Sequence, residues 1–476
     1  MAYVSGTDRQ QPMLFPECVE DYVDGDNPVR AIDLFVDRLE LHELGMDCKQ
    51  LGSVGRDGYD PKALLKLYLY GYLNKIRSSR GLERETKRNI EVIWLLGKLQ
   101  PDHWTINNFR KQHSGAFKEV LRKFNLMCLS LGLFGAKLVA IDGAFTKAVN
   151  SKMRNYSPKR LKALLGKIDA VIAKFIEELE QSSRVEDCVA ECAEEECATA
   201  EALAALRKKR QRYEDLIEEA EQSATGQVSL SDPDSRLLNK GKQSVVGYNA
   251  QIAVDAAHHL IIASELTDAG NDMGQLSPMG RAAKEQLGVE ELTVVADGGY
   301  HNLAEINRCE GDNIEVHAPE PAPRSTKKAL YPVSSFQYDP GEDHYTCPKG
   351  QQLKRHADDR QGEVIYRKYY NAKACRDCPV REACTAGKYR KLAIHEHAGL
   401  RKKVAARMAA TPEIYARRKG IVEHVFGTIK WDWGQGVFLT RGLKSTNGEW
   451  MLSCLTYNFR RVLNVLGTRN MIEAMG

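Results

Sequence analysis

Two apolar runs decide what this chain can fold into. Lys137-Leu138-Val139-Ala140-Ile141-Asp142-Gly143 carries four apolar residues without alternation, then stops at a carboxylate and a glycine. Leu292-Thr293-Val294-Val295-Ala296-Asp297-Gly298-Gly299 repeats the design. A continuous apolar run bounded by a turn signal reads as a strand buried on both faces of a sheet. Its final carboxylate then stands at the carboxyl edge, where open α/β sheets keep their chemistry. Two such strands can set two carboxylates side by side. Like charges that close repel, and a divalent cation resolves the conflict.

The remaining segments organise around this pair. The 476 residues exceed one ordinary core, so two to four domains are expected. Residues 1–20 read as an irregular lead-in. Residues 21–133 read as an all-helical domain. In it Pro28–Leu39 is amphipathic, Asp60-Pro61 starts a buried helix over 62–76, and Ser78-Ser79-Arg80-Gly81 breaks it before helix resumes over 82–99. Pro101-Asp102-His103-Trp104-Thr105 opens another helix, with Asn107, Asn108, Phe109, Arg110 and Lys111 close behind. Short helices, tight turns and basic residues suit a helix-turn-helix module that rides in a DNA groove. A first piece of sheet occupies 134–156. Then Leu161, Leu165, Ile168, Ile172, Phe175 and Leu179 form a heptad seam inside a helical insertion over 157–228. A second helix, about 199–221, folds back with Leu206, Tyr213, Ile217 and Ala220. The acidic link between them carries Cys188, Cys192 and Cys197, and the insertion reads as a hairpin or dimer contact.

A second piece of sheet covers 229–334. Residues 226–241 read as a loop, Val245–Val254 and Leu260–Thr267 as a β-hairpin, 273–287 as a helix and 313–316 as a short strand. The result is a mixed α/β sheet. Residues 335–391 hold Cys347, Cys375, Cys378 and Cys384 in polar surroundings with little core material. A C-x₂-C with two further thiolates supplies the four ligands of a structural Zn²⁺, which would staple so poor a core. Residues 392–476 give a long helix over 399–430, jogged at Pro412, and a last amphipathic helix over 447–466.

Net charge of +4 does not by itself announce nucleic acid. Basic residues do cluster over 75–90, 401–407 and 417–419. No apolar run approaches the ~20 residues of a membrane span. The start MAYVSGTDRQ is not a secretory signal, so a cytoplasmic protein is expected. In a reducing compartment, twelve cysteines point to metal rather than to disulfides.

The chemistry converges on one helix face. Glu423 and Lys430 lie seven residues apart, close to two turns, with Lys419 one turn before Glu423. Asp142, Asp297 and Glu423 together could hold two Mg²⁺ or Mn²⁺ ions about 3.5–4 Å apart. Lys430 would neutralise a phosphate beside the scissile one.

These motifs resemble those of a known family. Asp142 in VAIDGAF, Asp297 in VVADGGY, and Glu423 with Lys430 in EHVFGTIK look like the catalytic triad of the DDE transposases of bacterial insertion sequences. GYNAQIAVDAAHHLIIASELT looks like the second and third strands of their RNase H-like core. YDPKALLKLYLYGY and PDHWTINNFR look like their amino-terminal helical domain, and CPKG with CRDCPVREAC like the cysteine insertion of one branch. The family's Tyr and Arg before the Glu fall here on Ala416 and Lys419, with Tyr415, Arg417 and Arg418 adjacent.

The resemblance implies an RNase H-like mixed sheet at 134–156, 229–334 and 392–476. It implies a DNA strand transferase that binds inverted repeats, nicks a strand and joins a 3′-hydroxyl to target DNA. Double-stranded DNA is then the partner, with Arg110, Asn108, Arg417, Arg418, Lys419 and Lys430 expected on phosphates. Trp431 is expected to stack on a frayed base. A homodimer in the bacterial cytoplasm, nucleoid-associated and without membrane, follows from the same resemblance. A nuclease that cuts without joining, a retired DNA-binding protein and a zinc enzyme are the alternatives.

Overall fold

A computed structural model describes residues 18–46, 58–183, 192–223, 225–240, 243–321, 331–362 and 364–476 of the chain. The expected lead-in falls largely outside these residues, as does the acidic link with Cys188.

The chain is a mixed α/β protein. Its central strand, Leu138–Lys147, pairs in parallel with Leu292–Ala296, which pairs in parallel with Ile314–His317. On its other side it pairs antiparallel with the long strand Gln243–Asp255. The far edge of that long strand is shared end to end. Arg236–Lys240 pairs with its first half and Ile261–Thr267 with its second. Val139, Ala140 and Ile141 are all fully buried although successive side chains point to opposite faces, so both faces are covered. The helices Leu276–Leu287 and Arg418–Gly427 both pack against the central strand.

Several boundaries differ from expectation, each for a physical reason. The central strand does not stop at Asp142. Its parallel neighbour ends there, but the antiparallel partner continues to Gly247, and the 436–438 segment bonds Lys147 on the other side. The expected loop over 226–241 contains the edge strand Arg236–Lys240, which the turn residues of LSDPDS concealed. Ser78-Ser79-Arg80-Gly81 is not a break within a helix. Ser78 accepts from the Gly81 amide and caps a new helix, Ser79–Arg88. Asn89 divides the next stretch by capping Ile90–Leu95.

The amino-terminal helices do not form a separate body. The last long helix, Leu443–Leu466, starts a turn earlier than expected and is buried almost all round. It packs on helices Pro61–Leu73 and Phe117–Ser130 and on strand Ile261–Thr267. Asn458 ties the second of these helices and the strand to it. Its Oδ1 accepts from the Ile261 amide at 2.8 Å, and its Nδ2 donates to Asn125 Oδ1 at 2.8 Å. Phe35, Phe124 and Phe459 close the same junction with ring centroids 5.2–6.1 Å apart.

The insertion is a helical hairpin of Pro158–Ser183 and Cys192–Gln222. Leu161 of the heptad seam is spent inside it, against Leu216, Ile217 and Ala220 with Leu165 beside them, and Ile168 is buried too. The cysteine region has more structure than its composition suggested. It is a five-stranded antiparallel sheet with its own small core of Phe336, Leu353, Tyr369 and Leu392. Tyrosines supply the apolar surface that aliphatic residues would elsewhere.

Candidate active site

Ile141 and Ala296 are paired neighbours in parallel register. The next residues, Asp142 and Asp297, therefore stand at the same level on adjacent chains, with backbones about 5 Å apart. Asp142 Oδ1 accepts from the Gly143 amide at 2.9 Å. Asp297 caps a short 3₁₀ turn, Gly298–Tyr300, by accepting from the Gly299 amide at 2.8 Å.

Glu423 comes from the helix Arg418–Gly427, whose Ile421, Val422, Val425 and Phe426 are buried. The expected long helix is broken twice on the way, at Pro412, which lacks an N–H, and at Arg417. The second break turns Arg418 inward, where it is 8% exposed. Its Nη1 stands 3.5 Å from Asp142 Oδ2 and its Nη2 3.5 Å from Glu423 Oε1. One planar guanidinium thus spans both acids, which puts their oxygens at most roughly 10 Å apart. The helix then widens into a π turn, Thr428–Asp432, so Glu423 and Lys430 do not share a regular α face. Lys430 reaches the sheet instead, donating to the Phe145 carbonyl at 2.6 Å, three residues beyond Asp142.

A fourth carboxylate, Asp272, was missed by the sequence reading. It is 9% exposed and accepts from Asn249 Nδ2 at 2.8 Å and Gln251 Nε2 at 2.7 Å. It lies in a loop between strand and helix, so no periodicity marked it. Tyr300 faces the same ground. Burial, then the charges of Asp272, Asp142 and Asp297, hold its hydroxyl far above the usual range, so it stays a proton donor.

The donor chemistry of these acids suits a hard divalent ion. As they stand, no three acidic, histidine or cysteine side chains among the described residues surround a common point closely enough to hold one. A protein cation, Arg418, stands between Asp142 and Glu423 instead.

Two family patterns match the chain: Transposase domain (DUF772) over residues 17–112, and Transposase DDE domain over residues 346–463. Over these stretches the chain is similar to transposases, the second of the DDE kind. The second match contains Glu423, whereas Asp142 and Asp297 lie between the two matched stretches. No curated protein matches the sequence. Among solved structures, a piggyBac transposase synaptic complex with hairpin DNA is similar at 10% identity and a TM-score of 0.33, covering 94% of this chain and 79% of that one. A likeness of that score carries no argument.

The residues expected on DNA fall into different settings. Arg417 and Lys419 are exposed, Asn108 is half-buried, and Trp431 is 83% exposed. Trp433 is buried in the core. Arg110 is a correction. It is 3% exposed, lies over the Tyr68 ring and bonds to the Arg77 carbonyl and Asn107, so phosphate cannot reach it. Arg418 is likewise turned to the acids and not to solvent. Much of the basic run 401–407 is also committed. Lys403 and Arg407 pair with Glu310, and Arg401 with Glu320.

Cys347, Cys375, Cys378 and Cys384 line one cavity beside Phe336 and Leu353, and all four are free thiols. Burial raises the Cys384 thiol most, and the other three cysteines raise it further against the opposing charge of Arg390. Among the described residues the sulfurs likewise do not form a ready cage.

Proposed function

We propose that the chain is a transposase that binds double-stranded DNA at the terminal inverted repeats of its element and cuts and joins strands in a two-metal centre of Asp142, Asp297 and Glu423. It would act on nucleoid DNA in the bacterial cytoplasm. The observation that carries this reading is the parallel pairing that aligns Asp142 with Asp297, together with the single guanidinium shared by Asp142 and Glu423. The sheet, in which only the long strand Gln243–Asp255 runs against the other five, supports an RNase H-like core.

Carboxylate oxygens suit Mg²⁺ or Mn²⁺. When bound, such ions would activate a water or a 3′-hydroxyl and stabilise the leaving oxygen. The chain's own groups would do the rest. Arg418 offsets the charge of two acids until a cation takes that task. Lys430, held at the end of the central strand, would face a flanking phosphate. Arg417, Lys419 and the exposed Trp431 would hold the DNA end. A strand-transfer assay with pre-cleaved ends and Mg²⁺ tests this directly. Joined product is expected; hydrolysis without joining would leave a nuclease.

Two further parts of the reading stand beside the centre. The four cysteines would hold a structural Zn²⁺, with no position left for chemistry. Cys375→Ser is then expected to lower both melting temperature and bound zinc, and a variant unchanged in both would refute the staple. The protein would work as a homodimer. Val171 and Ile176, exposed on the hairpin, are available for that contact. Sedimentation of the full chain would give the mass.

A further inference from the structure

The Asp272 side chain does not cap the helix that follows it, whose N-cap is Gln275. Its two oxygens instead face the two Asp-Gly turns. A Cβ on Gly143 would stand 2.6 Å from Asp272 Oδ1, 2.3 Å from Gln251 Nε2 and 3.0 Å from the Tyr300 hydroxyl. A Cβ on Gly299 would stand 3.8 Å from Asp272 Oδ2. So Gly143 is a glycine because this polar cluster rests on its α-carbon.

The cluster is a directed chain. Tyr300, in the turn after Asp297, donates its hydroxyl to Gln251 Oε1. Gln251, directly opposite Gly143 on the neighbouring strand, donates Nε2 to Asp272 Oδ1. Asn249 donates to the same oxygen. An ionised carboxylate only accepts, so it fixes which way both amides point. Through Gln251 it also fixes the hydroxyl of Tyr300. One buried carboxylate thereby ties the turn after Asp297 to the strand beside Asp142.

We propose that Asp272 is a positioning residue of the metal centre, bracing the Asp142-Gly143 and Asp297-Gly298-Gly299 turns so that their carboxylates can share an ion. This rests on the reading of Asp142 and Asp297 as ligands. Without Asp272 two buried amide donors lose their acceptor and space opens against Gly143. An asparagine keeps the volume and one accepting oxygen.

The test is a calorimetric titration of the full-length protein with Mn²⁺ alone, without DNA. Asp272→Ala should weaken Mn²⁺ binding about tenfold or more, as loss of an outer partner of a metal ligand does. Asp272→Asn should restore it to within about threefold, because bracing needs an acceptor and a volume. Asp142→Asn should remove most binding. A merely structural role would lower the melting temperature of Asp272→Ala while leaving the Mn²⁺ affinity of the folded protein unmoved, and that result overturns the proposal. So does an Asp272→Asn variant as weak as the alanine. Unaltered binding in Asp142→Asn would instead bring down the ligand reading itself, and this proposal with it. Should Asp272→Ala fail to fold, Tyr300→Phe decides: weaker Mn²⁺ binding supports the brace, and unchanged binding refutes it.

Discussion

At the scale of single residues, charge governs the proposed centre. Asp142→Asn, Asp297→Asn and Glu423→Gln should each abolish DNA cleavage while leaving end binding, read by gel shift, largely intact. Near-normal cleavage by any one would remove that residue from the centre. Arg418→Ala takes the counter-charge from two acids, one of them largely buried. We expect the metal-free variant to lose about 1–3 kcal/mol in urea melts, and Mn²⁺ to stabilise it more than it stabilises the native protein. Equal stabilisation by Mn²⁺ in both would show that Arg418 does not stand in for a cation. The two aspartates could be singled out because a continuous apolar run closing on Asp-Gly is a local pattern, although the first strand runs on past its aspartate. Arg418 was not, since its inward turn depends on a helix break at Arg417 that a 3.6-residue count passes over. Asp272 was hidden further, because its partners Asn249, Gln251 and Tyr300 lie on other elements.

At the scale of elements, the two basic stretches part company. Burial raises the Glu310 carboxyl, but hydrogen bonds and charge from Lys403 and Arg407 outweigh it and hold the group below its ordinary value. A carboxyl lowered on folding adds stability above its unfolded value of 4.5, and that stability is lost as pH falls through the lower folded value. Glu310→Gln should therefore cost about 1–2 kcal/mol near neutral pH in thermal melts, with the difference from native shrinking in acid. A constant difference at all pH would contradict the pairing. Arg417 and Lys419 remain exposed. Replacing both with alanine should weaken DNA binding and flatten its salt dependence by about two units of slope. Arg110→Ala should instead destabilise the fold. Helix positions were readable from caps such as Asp60 and Asp102, which bond the amides that capping requires. The cysteine region's sheet was not, because its strands bury tyrosines and long polar side chains instead of aliphatic runs.

At the scale of the whole molecule, the helical amino-terminal region, sheet and final helix share one core. Arg77 shows how tightly they are joined. It bonds Val437 and Gly434 carbonyls and pairs at 3.2 Å with Glu449, which is fully buried. Glu449 in turn accepts from the Leu439 and Thr440 amides, fixing the segment after the π turn. A fragment of residues 18–133 is thus expected to lack a cooperative melt, whereas an autonomous DNA-reading module would show one. Sequence periodicity could not reveal this junction, since Asn125 and Asn458 meet across more than three hundred residues. The central claim concerns the acids and their ions, and anomalous diffraction from Mn²⁺-soaked crystals with a short DNA end tests it most directly. We expect manganese peaks about 2.1–2.2 Å from oxygens of Asp142, Asp297 and Glu423, with Arg418 displaced from between them. Peaks bound elsewhere, with Arg418 still spanning Asp142 and Glu423, would contradict it.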